Sequence, residues 1–170
     1  IERLENYGLC EYTVLGDGNC QFRSLSDQLF RSPQHHRQVR KDVVKELRAH
    51  PKRYASYVPG EYRAYCNSMA KDCVWGDNIT LQAAANAFGL RILLITSYEE
   101  SFVISIDPAV MPSGSRILYL SFWAEVHYNS IYPATDPPRH PADTPDAADT
   151  KPKKLLGSRR LGKFISDMSS

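Results

Sequence analysis

Between Arg91 and Tyr132 the chain carries four short apolar runs, whereas most of the patterned sequence before them follows helical spacing. Arg91-Ile92-Leu93-Leu94-Ile95-Thr96, Phe102-Val103-Ile104-Ser105-Ile106, Ile117-Leu118-Tyr119-Leu120-Ser121-Phe122 and Val126-His127-Tyr128-Asn129-Ser130-Ile131-Tyr132 are rich in β-branched and aromatic residues and read as strands. Upstream, Phe22, Leu25 and Leu29 mark a helix that begins near Cys20 and ends before Ser32-Pro33. Ser32-Pro33 supplies a cap and a first-turn proline for a second helix, striped by Val39, Val43, Val44 and Leu47 and stopped at Pro51. Tyr62, Tyr65, Cys66 and Met69 mark a third helix, and Cys66 reads as a core residue on its face. Leu81, Ala84 and Phe88 mark a fourth, capped by Asp77 or Asn78 and closed by Gly89. Helices followed by consecutive strands predict an α/β (α+β) fold, with a small central, mostly antiparallel sheet flanked by helices. Arg37, Arg40, Lys41, Lys45 and Arg48 fall on the other faces of the second helix and read as solvated exterior.

One pair of segments suggests chemistry. Leu15-Gly16-Asp17-Gly18 reads as a turn, and Asn19-Cys20 stands at the mouth of the first helix. The first N–H groups of a helix lack intrahelical partners, and the macrodipole places partial positive charge there. A thiolate at Cys20 is stabilised at that position. The backbone N–H groups of Asp17, Gly18, Asn19 and Cys20 form a candidate oxyanion hole. His127 and Asn129 lie two apart on one strand and so project from the same face. The Asn129 amide oxygen is placed to hold one imidazole N–H and leave the other nitrogen for the thiol, a Cys-His-Asn arrangement. His35, His36, His50 and His140 have no comparable neighbours and read as solvent-facing or loop residues.

At these residues the chain resembles the OTU (ovarian tumour domain) family of deubiquitinating cysteine proteases. Asp17-Gly18-Asn19-Cys20-Gln21-Phe22-Arg23 is similar to the family's nucleophile motif, Asp-Gly-Asn-Cys followed by an apolar residue, Phe and Arg. Trp75-Gly76-Asp77-Asn78-Ile79-Thr80-Leu81-Gln82-Ala83 resembles its central Trp-Gly motif, and Phe122-Trp123-Ala124-Glu125-Val126-His127-Tyr128-Asn129-Ser130 its histidine motif. The three occur in the family's order across roughly residues 10–132. The resemblance implies an OTU-type fold and an isopeptidase that cleaves ubiquitin from lysine side chains, or between ubiquitins, without a cofactor. It implies Cys20 as nucleophile and His127 as general base. It also puts Trp75, Gly76, Asp77, Trp123 and Tyr128 at the substrate channel, a cleft narrow enough to select a peptide as thin as Gly-Gly. Gln21 departs from the pattern, standing where an apolar residue is usual. The third catalytic member is left open between Asn129, where some relatives carry Asp, and Asp17 ahead of the cysteine. From the residues alone, Trp75 and Trp123 read as core aromatics.

The 170 residues, 42% of them hydrophobic, suit one domain of ordinary size. Charge divides the chain into three zones. Residues 1–132 carry 14 Lys and Arg against 14 Asp and Glu, residues 133–150 one against four, and residues 151–170 six against one. The expected organisation is therefore a catalytic domain over 1–132, an acidic, proline-rich linker over 133–150 and a basic tail over 151–170. In the tail, Leu161, Phe164, Ile165 and Met168 fall at helical spacing, although Gly157 and Gly162 weaken a helix there. The balanced domain offers no nucleic-acid surface, and no run reaches the length of a membrane span. The first residues do not begin a secretory signal, and because the chain opens on Ile1, not Met, it is expected to be an excised fragment. Cys10, Cys20, Cys66 and Cys73 show no CxxC pairing, which argues against a structural zinc site. The pattern suits reduced thiols in the cytosol or nucleus, with a Cys66–Cys73 disulfide left open. A monomer that engages ubiquitin and polyubiquitin chains is expected. A catalytically weak ubiquitin-binding module of the same fold and a thiol acyltransferase stand as alternatives.

Overall fold

The computed structural model describes residues 2–98, 102–123 and 126–137. Helix α1 (Glu2–Glu5) and strand β1 (Leu9–Tyr12) precede helix α2 (Cys20–Phe30). A 3-10 turn (Pro33–His35) leads into α3 (His36–Ala49), then α4 (Pro51–Tyr54), a second 3-10 turn (Ala55–Tyr57), α5 (Tyr62–Met69) and α6 (Asn78–Phe88). Strands β2 (Arg91–Thr96), β3 (Val103–Ile106), β4 (Ile117–Trp123) and β5 (His127–Pro133) complete a five-stranded sheet in the order β1-β5-β4-β2-β3.

The local chemistry that marks these elements operates as anticipated at several ends. Ser32 Oγ accepts the Gln34 N–H ahead of α3. Asp77 and Thr80 form a capping box on α6, which Gly89 ends in the left-handed region at φ +60°. Phe22, Leu25 and Leu29 of α2 are buried with Val39, Val43 and Leu47 of α3 in one core that also includes Ile92, Leu94, Leu118 and Leu120 of the sheet. Each such apolar side chain contributes about 1.5–3 kcal/mol of transfer free energy when fully buried. A smaller core of Leu4, Leu9, Ile95, Tyr119 and Ile131 forms a separate cluster.

Hydrogen bonds fasten α2 along β5. Ser130 Oγ donates to Ser24 O (3.2 Å), Gln28 Nε2 donates to Ile131 O (3.0 Å), and the Tyr132 hydroxyl donates to Asp27 Oδ2 (2.7 Å). Because contacts advance together along helix and strand, the N-terminus of α2 is brought to the beginning of β5. Cys20 and His127 stand at those two ends.

The sheet is mostly antiparallel, as expected, with one exception: β4 lies parallel to β2, pairing Arg91 with Ile117 through Thr96 with Phe122, while β3 takes the far side of β2. The other three pairings are antiparallel. Three other expectations require correction. Trp75 and Trp123 are exposed, at 64% and 42%, and not core residues. Arg40 is not solvated exterior: it is 4% exposed, inside the stripe of α3. His36 is 5% exposed, also on that stripe, whereas His50 is exposed and paired with Glu46, and His140 lies outside the described residues.

Burial lowers the His36 imidazole to about 4, assisted by the Arg23 charge and opposed by Asp17 and Asp72. The unfolded chain takes that proton near 6.5, so His36 is silent above that pH and withdraws stability as pH falls from about 6.5 towards 4. The loss approaches about 1.4 kcal/mol per pH unit in that window. Thermal melts from pH 7 to pH 4.5 are expected to fall less steeply for His36→Gln than for the wild type. Equal slopes would assign the acid sensitivity to other groups.

The β1–β5 ladder runs on to Pro133, and Ala134 N–H bonds Gly8 O (2.8 Å), a little past residue 132. The rest of the expected linker, residues 138–150, and the basic tail, residues 151–170, lie outside the described residues.

Candidate active site

Cys20 is the first residue of α2, and no side chain caps that helix. Asn19 occupies the cap position, but its side chain turns away, accepting from Arg40 Nη2 (2.7 Å) and from Cys73 N (3.1 Å). The backbone N–H groups of the first helical turn therefore receive no bond from the residue that usually takes one. Gly18 (φ +82°) is required twice over, since a Cβ there would lie 2.2 Å from Cys73 O.

Asp17 holds this turn. Its carboxylate accepts from Arg23 Nη2 (2.6 Å), Asn19 N (3.1 Å) and Asn19 Nδ2 (3.2 Å). The Arg23 hydrogen bond, above all, keeps the Asp17 carboxyl well below the usual carboxylate range, so the turn is braced by an ion pair at neutral pH. These contacts lie on the nucleophile side of the site.

His127 Nε2 lies 3.1 Å from Val14 O. A carbonyl can only accept, so a hydrogen bond there puts the imidazole proton on Nε2 and leaves Nδ1 as the basic nitrogen. The ring edge carrying Cε1 and Nδ1 faces Gly16, where a modest side chain would already touch it (3.7 and 3.9 Å from an added Cβ). The sequence expectation has Asn129 Oδ1 on the imidazole. That oxygen instead accepts the Val14 N–H at 3.2 Å. Val14 thus receives Asn129 at its N–H and His127 at its C=O, so that amide and imidazole meet through one backbone residue. No sequence signal marks Val14, because any residue but proline supplies the same two groups.

Cys20 and His127 line one cleft of about 1060 Å³, with Trp75, Gly76, Asp77 and Tyr128 on its walls. Trp123 is not on that wall; its indole N–H donates to Glu11 Oε1 (3.3 Å). Asp17 and Asn129 also lie off the lining. Phe122 and Tyr128 stack with centroids 4.5 Å apart, and burial pushes the Tyr128 hydroxyl up to about 12, keeping it neutral.

Arg40 is the residue here that sequence reasoning misplaced. Besides Asn19, it donates from Nη1 to Met69 O (3.0 Å) and from Nη2 to Val74 O (2.8 Å), and its guanidinium stands 3.9 Å over the Phe22 ring. One buried cation thereby joins α3, the end of α5, the loop that follows it and the residue preceding the nucleophile. All four cysteines are free, with Cys66 buried and Cys73 exposed, so the disulfide left open by sequence is not formed. Among the described residues no group of three or more His, Cys, Asp or Glu side chains is placed to hold a metal ion, and no helix is long and apolar enough to cross a membrane.

The family model described as OTU-like cysteine protease matches residues 15–128. Over 133 residues the chain is 55% identical to OVARIAN TUMOR DOMAIN-containing deubiquitinating enzyme 12 of Arabidopsis thaliana, covering 78% of this chain and 60% of that protein. Over 138 residues it is 53% identical to enzyme 9 of the same series and organism, covering 81% and 40% respectively. The chain thus spans between 40% and 60% of the length of these two relatives. Among solved structures, the OTU domain of OTUD1 superposes with a TM-score of 0.69 at 19% identity, covering 77% of this chain and 90% of that one. The Hazara virus OTU bound to ubiquitin superposes with a TM-score of 0.58 at 16% identity, covering 73% and 80%. At these identities the likeness to the solved structures is one of fold.

Proposed function

The chain belongs to the OTU-like cysteine protease family, and on that premise we propose that it is a deubiquitinase, hydrolysing isopeptide bonds at the ubiquitin C-terminus by thiol chemistry. The observation that carries this reading is the shared cleft of Cys20 and His127, with the imidazole Nε2 occupied by Val14 O. The Cys20 thiolate attacks the isopeptide carbonyl, and the N–H groups of the first turn of α2 and the glycine turn receive the oxyanion. His127 Nδ1 carries the proton to the departing lysine amine, and water then clears the thioester. The chemistry needs no cofactor. The names of the Arabidopsis relatives and the ubiquitin-bound OTU structures support ubiquitin and polyubiquitin chains as partners. Free thiols throughout support a reducing compartment, cytosol or nucleus, and we infer a monomer.

A panel of diubiquitin linkages, resolved on a gel, tests the reading directly. Cleavage of at least one linkage is the expected result. Reversible ubiquitin binding with no cleavage would leave a binding module of the same fold.

The third role belongs in this reading to Asn129, which acts through Val14, whereas Asp17 braces the turn. Asn129→Ala is expected to lower turnover by roughly one to three orders of magnitude. Asn129→Asp keeps the acceptor for Val14 N–H and should retain more. Asp17→Asn deprives Arg23 of its charge partner, and its effect should fall more on melting temperature than on the pH profile of kcat. Near-normal rates in Asn129→Ala beside collapse in Asp17→Asn would transfer the third role to Asp17.

A further inference from the structure

Gln21 follows the nucleophile and is 1% exposed. Its side chain does not simply fill space. Oε1 accepts from Thr80 Oγ1 (2.7 Å), and Nε2 donates to Asp77 O (3.0 Å). Thr80 Oγ1 in turn accepts the Asp77 N–H (2.7 Å), so Gln21 is joined to the capping box that begins α6. Gly76 lies directly against the same amide: a Cβ there would fall 2.2 Å from Gln21 Oε1 and 2.6 Å from Cδ. Cys20, Gly76 and Asp77 line the cleft, and Gln21, off the lining, ties the start of α2 to the Gly76–Asp77 wall.

We propose that Gln21 is a positioning residue that sets the width of the cleft beside Cys20 and, through that width, how strictly the site excludes a side chain from the glycine-bearing segment entering it. The selectivity claim rests on the deubiquitinase reading, and the width claim does not. An apolar side chain at this position fills the volume but bonds neither Asp77 O nor Thr80 Oγ1. The Trp75–Asp77 wall is then free to separate from α2, and the discrimination against one extra methyl group weakens. Such discrimination rests on contacts worth about 10–200-fold per methylene.

Two variants separate bulk from bonding. Gln21→Met keeps the volume and loses the hydrogen bonds, and Gln21→Ala loses both. Thermal melts establish that each is folded. The substrates are ubiquitin C-terminal fluorogenic amides ending in Gly-Gly or with the penultimate glycine replaced by alanine. The wild type should prefer Gly-Gly on the order of a hundredfold in kcat/KM, and both variants should reduce that preference by about tenfold, with the change carried by KM for the alanine substrate. The second measurement uses no ubiquitin: site-resolved mass spectrometry of Cys20 alkylation by a small and a bulky maleimide. Both variants should raise the bulky-to-small rate ratio by about tenfold if the wall relaxes. A wild type inactive on both amides would sink the deubiquitinase reading, while the alkylation ratio still decides the role of Gln21. If Gln21→Met retained both the glycine preference and the alkylation ratio of the wild type, the hydrogen bonds would set no width and the proposal would be overturned.

Discussion

Cys20→Ala is expected to reduce hydrolysis of a ubiquitin-derived substrate to background, a loss of at least about 10⁴-fold, while leaving the fold and ubiquitin affinity intact. The size of the effect follows from the proposed role. Without the sulfur no thioester forms, and a residual rate draws only on the oxyanion donors and on substrate binding, since members of a catalytic group do not contribute additively. The fold should tolerate the change because alanine is the best helix former and Cys20 is only partly buried at the first position of α2. The bracing of the turn does not involve the thiol: Asp17 remains on Arg23 and Asn19 remains on Arg40. Steady-state rates, melting temperature and ubiquitin binding by calorimetry, measured on one preparation, check the three parts. Appreciable turnover by the purified variant would remove Cys20 as nucleophile. A large fall in melting temperature would show that the thiol also holds the helix start.

Arg40→Met is expected to have the largest effect on stability. Methionine preserves much of the volume over the Phe22 ring but donates nothing. Met69 O and Val74 O lose their donor, and Asn19 Oδ1 keeps only the Cys73 N–H. Each buried acceptor left unpaired costs about 1–3 kcal/mol, so the variant should lose about 3 kcal/mol and melt roughly 10 °C lower. Arg40→Lys should recover little, because one ammonium cannot reproduce the planar fork that reaches all three acceptors. Activity should fall as well when assayed well below the melting temperature, since Asn19 precedes the nucleophile and loses its strongest anchor. A melting temperature within two or three degrees of wild type would show that the loop satisfies its own carbonyls.

Arg40 and His36 also show where reading the sequence stopped short. Residues 36, 39, 40, 43, 44 and 47 follow the spacing of one helical face, and the apolar pattern marks Val39, Val43, Val44 and Leu47 on it. The arginine and histidine share that stripe although their polarity reads as solvent-facing. The signal was present, but spacing tells which residues face the interior and not which acceptors wait there. Met69 O and Val74 O, the acceptors for Arg40, come from the end of α5 and the loop after it, 29 and 34 residues away. Strand β1 is not legible in the sequence for a related reason. Four residues beside Gly8 carry little periodicity, and the strand exists because β5 offers it an edge.

Local chemistry by itself determined the boundaries of the four longer helices, the strand runs after Arg91 and the glycine turn ahead of Cys20, because caps, turns and periodicity are properties of neighbouring residues. Tertiary structure alone decided that β4 runs parallel to β2, that Asn129 reaches His127 through Val14, that Gln21 bonds Asp77 O and Thr80 Oγ1 and that both tryptophans are exposed. Most of those outcomes depend on backbone N–H and C=O groups that all residues but proline carry alike, and only the packed chain selects which of them meet.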